Sequence, residues 1–170
     1  LESDRIAALH VDRTGTLWVG TELGPASRYT KDGFEVLAPA SELSCVVQIH
    51  ESDDGTVWLC GARLGRWRGG RLDVFAVWRT PLQTNVRAIV ELDDGDLMAA
   101  TIRGVFRFDP DLQSDDALVR LPLGIEGDPQ FAGFIEDGGG DVWVTGYGVP
   151  PTRITGARET IPTGSLGRVY

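Results

Sequence analysis

The sequence predicts an all-β protein made of repeated four-stranded units. Three observations carry that prediction. First, the run Gly15-Thr16-Leu17-Trp18-Val19-Gly20-Thr21 returns as Gly55-Thr56-Val57-Trp58-Leu59-Cys60-Gly61. It comes back as Gly95-Asp96-Leu97-Met98-Ala99-Ala100-Thr101 and as Gly140-Asp141-Val142-Trp143-Val144-Thr145-Gly146. Second, its Trp or Met falls at 18, 58, 98 and 143, in steps of 40, 40 and 45 residues, a period that marks a repeat architecture. Third, no apolar stripe of helical spacing lasts beyond two turns, and turn residues interrupt the chain throughout.

Each unit opens on a short strand. Nine and six residues before the turn glycines stand Ile6 and Leu9, Val46 and Ile49, Val86 and Ile89, Phe131 and Phe134, all apolar. The first strands read IAALHV, VVQIHE, VRAIVE and FAGFIE. Acidic or glycine turns follow (DRTG, SDDG, LDDG, DGGG), where Asp and Gly supply local hydrogen bonds and positive φ. The Trp strand comes second, rich in β-branched and aromatic residues. A looser turn with Gly24, Gly65, Gly104 or Gly148 leads to a third strand at 27–29, 66–68, 105–108 and 152–154. Second hairpin turns stand at 31–33, 69–70, 109–111 and 156–157, and the fourth strands are FEVL, LDVF, ALVRL and ETIP. Polar, Pro-bearing connections close each unit, and the longer third step places an insertion at 113–116 and 124–130.

Four short strands per unit of 40 to 45 residues is the arithmetic of a β-propeller blade. A β-sandwich would not repeat the Trp strand second in every unit. The expected organisation is one partial propeller domain over 1–170, with blades near 4–40, 41–80, 81–124 and 125–163 and the start of another at 164–170. Val169 holds the register of Ile6, so the four blades are expected to form an incomplete arc of a larger ring. Seven blades are the expected size of that ring, although the sequence itself does not count them.

Composition bounds the function classes. Hydrophobic residues make up 42% and charged ones 24%, which suits a globular protein. The formal net charge of -9 argues against nucleic-acid partners and against direct contact with an anionic membrane. The chain opens on Leu1 rather than Met, so a missing signal sequence says nothing of compartment. Cys45 and Cys60 fall on neighbouring strands in this layout. A disulfide and two separate buried thiols are both open, and the separate thiols are preferred.

Apolar-x-x-apolar, then Asp12-x-x-Gly15-x-Leu17-Trp18-Val19-Gly20-Thr21, then Gly24 and Arg28-Tyr29, resembles the two-component regulator propeller repeat. The later units match more loosely, with Met98 in place of Trp. The resemblance implies the extracytoplasmic sensor region of a membrane-bound bacterial signalling protein, a hybrid histidine kinase or a diguanylate cyclase. It also implies polysaccharide fragments as ligands. The blade is similar as well to that of virginiamycin B lyase, which keeps a lyase as the alternative, beside a purely structural interaction propeller.

Candidate chemistry is sparse. The Trp and Met anchors read as blade-to-blade packing rather than a stacking platform. His10 and His50 share a register that carries Val90 and Ile135 in the other units, which marks strand packing rather than a metal pair. The acidic turns lack the trailing Glu of a calcium loop. No catalytic residue, metal or cofactor is expected. Binding residues are expected on the loops between second and third strands, where Glu22, Arg63, Arg66, Arg103 and Tyr147 fall. Arg63 and Arg103 share one register. Arg and aromatic groups suit a saccharide, above all a carboxylated one, or another small polar ligand. The remaining partners expected are the rest of the propeller and a second protomer.

Overall fold

A computed structural model describes residues 4–75, 85–111, 119–125, 130–139 and 141–154. These residues form fifteen strands and no helix. The first sheet holds β1 (Ile6–Val11), β2 (Leu17–Thr21), β3 (Ser27–Thr30) and β4 (Gly33–Val36), in that order. The second holds β5 (Gln48–Glu51), β6 (Val57–Cys60), β7 (Leu64–Arg68) and β8 (Arg71–Phe75). The third holds β9 (Val86–Glu91), β10 (Leu97–Thr101), β11 (Gly104–Phe108) and β12 (Val119–Arg120). The fourth holds β13 (Gln130–Glu136), β14 (Val142–Tyr147) and β15 (Val149–Ile154) among the described residues. Every pairing within the sheets is antiparallel between chain neighbours. The molecule is all-β, four propeller blades set as an arc, with no sheet closed on itself.

The expected strand at 159–162, the hairpin at 156–157, the insertion at 113–116 and the start at 164–170 lie outside the described residues. Two local expectations change. Val46 and Val47 precede β5 instead of opening it, although the Val47 N–H already donates to the Cys60 carbonyl at 2.8 Å. Gly65 sits inside β7 rather than in the turn before it, and a Cβ there would stand 3.0 Å from Leu43 Cδ2 of the blade connection.

The apolar cores lie between blades. Cross-strand partners share a face, so His10, Trp18, Arg28 and Glu35 form one face of the first blade. That face meets Ile49, Val57, Leu59 and Trp67 of the second. Trp18 and Trp67 pack edge to face with centroids 5.7 Å apart. At the next joint Trp58 packs on Phe108 with centroids 6.1 Å apart, beside Ile89 and Leu97. At the third, Met98 and Ala100 meet Phe131, Val142 and Val144. The recurring Trp or Met is therefore the knob of each joint.

The first strands of successive blades touch one another, β1 with β5, β5 with β9 and β9 with β13. These inner strands stand round the axis. Gly20 lets them close up, since a Cβ there would overlap the carbonyl oxygen of Val46. On the first blade the face turned away from these joints carries Leu9, Val11 and Tyr29, which are 66%, 62% and 52% exposed.

A third-strand Arg recurs opposite each anchor: Arg28 beside Trp18, Arg66 beside Trp58, Arg107 beside Met98 and Arg153 beside Trp143. These guanidiniums fill polar seams. Arg28 lies over the Trp67 ring with its Cζ 4.3 Å from the centroid. Arg107 is buried and held by Asp94 and by Asp96, the latter at 2.7 Å.

Candidate functional site

The two ends of the blades differ in chemistry. At one end lie the turns between first and second strands. Asp12 Oδ1 accepts from the backbone N–H of Thr14 and Thr16, both at 2.9 Å, and Oδ2 accepts from the Trp18 indole at 2.8 Å. Burial pushes the Asp12 carboxyl up, but these bonds and the Thr14 hydroxyl outweigh it and hold the group below its ordinary range. Asp137 and Trp143 repeat the arrangement, and Ser52 Oγ takes the Trp58 indole at 3.1 Å. In the third blade the pair is Leu92 and Met98, apolar at both ends. The carboxylates are turn-formers with their lone pairs engaged inward. No group of three or more His, Cys, Asp or Glu among the described residues is placed to hold a metal.

His10 and His50 sit at this same end, between blades. His10 Nε2 stands 3.5 Å from Glu51 of the next blade, while Glu51 also accepts from the Arg13 backbone at 3.0 Å and from its Nε at 2.6 Å. Glu91 likewise accepts from the Asp53 backbone at 2.8 Å. Burial is the main effect on His50 and holds its pKa below the ordinary imidazole value, against the attraction of Glu91.

The opposite end is the loop face. Thr21 builds its turn, taking the Gly24 N–H at 3.0 Å and donating to the Pro25 carbonyl at 3.2 Å. Thr101 does the same with Arg103 N–H and Gly104 carbonyl, both at 3.0 Å. The charge here is reversed. Arg5, Arg63, Arg87, Arg103 and Arg120 stand against Asp4, Glu22 and Glu42. The other end carries the acidic turns of Asp12, Asp53, Asp54, Asp93, Asp94 and Asp137. Arg63, Arg87, Arg103 and Arg120 make no ion pair among the described residues.

The expected site residues divide on this map. Glu22 lies on the loop face and pairs with Arg5 at 3.3 Å, both more than half exposed. Arg63 lines an outer groove of about 440 Å³ between the first two blades, with Leu37, Pro39, Glu42 and Arg71. Arg103 is exposed on the equivalent turn of the third blade, outside that groove. Tyr147 ends β14 and is 86% exposed.

Arg66 is not on the loop face. It lies within β7, reaches the Pro110 carbonyl at 2.6 Å and Asp73 at 3.2 Å, and so ties two blades together. The strand pairing decides this, since position 66 faces Trp58 across the ladder.

The structure adds a cavity of about 330 Å³ on the loop face near the axis. Glu22, Cys45, Gly61, Asn85 and Arg87 line it, drawn from three blades. Cys45 and Asn85 are the described non-glycine residues with positive φ, at 55° and 43°. Cys45 and Cys60 are both free thiols, and Cys45 is half-buried in the connection rather than buried on a strand.

A family model, the two component regulator propeller, matches residues 1–22. That stretch holds the first two strands of the first blade. No curated protein sequence matches the chain. Among solved structures, the extracellular domain of the hybrid two component system BT3049 from B. thetaiotaomicron superposes with a TM-score of 0.69 at 22% identity, over 90% of this chain and 22% of that one. That of BT4673 from the same organism gives 0.70 at 17%, with the same coverage. Virginiamycin B lyase from Staphylococcus aureus gives 0.62 at 17%, over 94% of this chain and 57% of that one. At these identities the likeness is one of fold. The chain spans 22% of the length of those extracellular domains. No helix among the described residues is long and apolar enough to cross a membrane.

Proposed function

We propose that this chain is a non-catalytic, ligand-binding module in the input region of a membrane-anchored bacterial signalling protein, working outside the cytoplasm. The observation that carries the reading is the loop face. On a protein of net charge -9, that face gathers arginines with no ion pair among the described residues, held by rigid sheets. Uncompensated guanidiniums on rigid loops suit recognition of a polar or anionic ligand. The fold shared with extracellular domains of two component systems supports the setting. A ligand there, or at an interface with further blades, would bias how two protomers sit together and pass a rigid-body change toward the membrane.

The lyase alternative has its own fold likeness behind it. Against it stand both histidines, which lie between blades at the acidic end, away from the loops. A panel of glycan fragments, followed by thermal shift and by product analysis on the full chain, separates the two. Stabilisation without turnover is expected. Turnover that needs a divalent metal would sink the sensor reading.

A further inference from the structure

We infer that the loop-face cavity near the axis is a binding site for a small hydroxylated carboxylate, with Arg87 as its anion anchor and Glu22 as its hydroxyl acceptor. The inference rests on the ligand-binding reading and gives it an address and a charge. Its starting point is a break in the repeat. The residue after the opening apolar position of each first strand is Ala7, Val47, Arg87 and Ala132. Three units place a small or apolar group beside the axis, and one places a guanidinium.

The backbone presents that group. The ladder between β9 and β10 shifts register between Ala100 and Thr101, so Arg87 falls in a bulge between the Val86 and Ala88 pairings. Bulges re-aim a side chain away from the sheet. Arg87 is exposed and makes no ion pair among the described residues. A structural arginine would be tied down, as Arg66 and Arg107 are.

The rest of the cavity fits the same ligand. Asn85, two residues before Arg87, lines it with an amide that can both donate and accept. Gly61 lets the Ser44–Cys45 backbone come close beside it, where a Cβ would not fit. Leu23, Val47 and Val86 add apolar surface to its lining. Among the described residues the Glu22 carboxylate pairs with exposed Arg5, an interaction weak enough to yield to a ligand. A volume of about 330 Å³, open to solvent on one side, admits one sugar-sized ring. An anion meets Arg87 and a donor meets Glu22, which a hydroxylated carboxylate satisfies at once.

Isothermal titration calorimetry on the full chain tests this with D-glucuronate and D-glucose as probes. Glucuronate is expected to bind at least about tenfold more tightly than glucose. Arg87→Ala is expected to weaken glucuronate by about tenfold or more, and Arg87→Lys to recover part of that, with the unfolding midpoint unchanged. Glu22→Gln is expected to weaken both probes. Lys31→Ala, at the other end of the blades, should leave the isotherm unchanged. Equal glucuronate affinity in the parent and Arg87→Ala overturns the site. Equal affinity for the two sugars overturns the anion anchor. Absence of glucuronate binding overturns the proposal, while thermal-shift stabilisation by other fragments would leave the ligand-binding reading standing.

Discussion

Single residues set the stability of the turns and their response to pH. Asp12 serves two backbone N–H groups, a hydroxyl and the indole of a buried Trp18. Asp12→Ala leaves that indole donor stranded between blades. It should cost about 1–3 kcal/mol in urea unfolding, the penalty for a buried donor with no acceptor. The third blade shows the other solution, since Leu92 with Met98 removes both partners together. His50 gives a pH signature. Burial holds its folded pKa below the ordinary value of about 6.5. The unfolded chain then binds the proton more readily, so stability is full above about pH 6.5 and falls as pH drops through that value. Glu91, Asp53 and Glu51 oppose this shift and His10 reinforces it, and the net direction is still downward. Unfolding midpoints of the parent should decline from pH 7.5 to 5.5, and His50→Gln should flatten that limb. Parallel pH curves for the two proteins would contradict the assignment.

At the scale of elements, strand and turn glycines do different work. Gly15 takes φ +85 with open space around it, so it is there for backbone conformation. Gly20 has ordinary backbone angles but no room for a Cβ against the next blade. Gly15→Asn should therefore cost less than about 0.5 kcal/mol, because Asn tolerates the left-handed region. Gly20→Ala should cost about 2–3 kcal/mol by overpacking the joint between the first two blades. Chemical denaturation of the two variants checks the contrast, and a reversed order would show that the joint yields. The bulge at Arg87 belongs to this scale too. A local shift of register converts a strand position into a loop-face group.

For the whole molecule, the cores lie between blades rather than within one centre. Each joint is a nearest-neighbour term, as in other repeat proteins. The middle joint rests on Trp58, packed between Phe75 at 6.2 Å and Phe108 at 6.1 Å between ring centroids. Trp58→Ala removes its largest side chain and should cost about 3–5 kcal/mol. With the joint weakened, the two halves should unfold in separate steps in urea when followed by circular dichroism. A single sharp transition at lower denaturant would argue for coupling beyond nearest neighbours. The division of charge between the two ends is concentrated in the third blade, which carries Arg87, Arg103 and Arg120 at one end and Asp93 and Asp94 at the other.

The repeat made the architecture legible. Period, strand order and turn chemistry all follow from local pattern, so Leu17–Thr21 or Ile6–Val11 could be bounded from residues alone. The packing role of Trp18 and Trp58 was legible for the same reason, since one residue type recurring on one strand face must fill one kind of space. The candidate site was only partly legible. Glu22 could be placed on the loop face by counting. Arg66 could not, because whether position 66 is turn or strand depends on its hydrogen bonds to β6 and β8. Arg87 left a signal in the sequence as the one charge in a register of Ala and Val. What made it a candidate was its exposure at a bulge that recurs at Ala7 and Ala132, and the approach of Glu22 and Cys45 from two other blades. The sequence alone determined the blade, because a blade's strands and turns are set by neighbours a few residues away. The tertiary structure decided which side chains share a cavity, because residues 22, 45 and 87 meet only when separate blades close round a common axis.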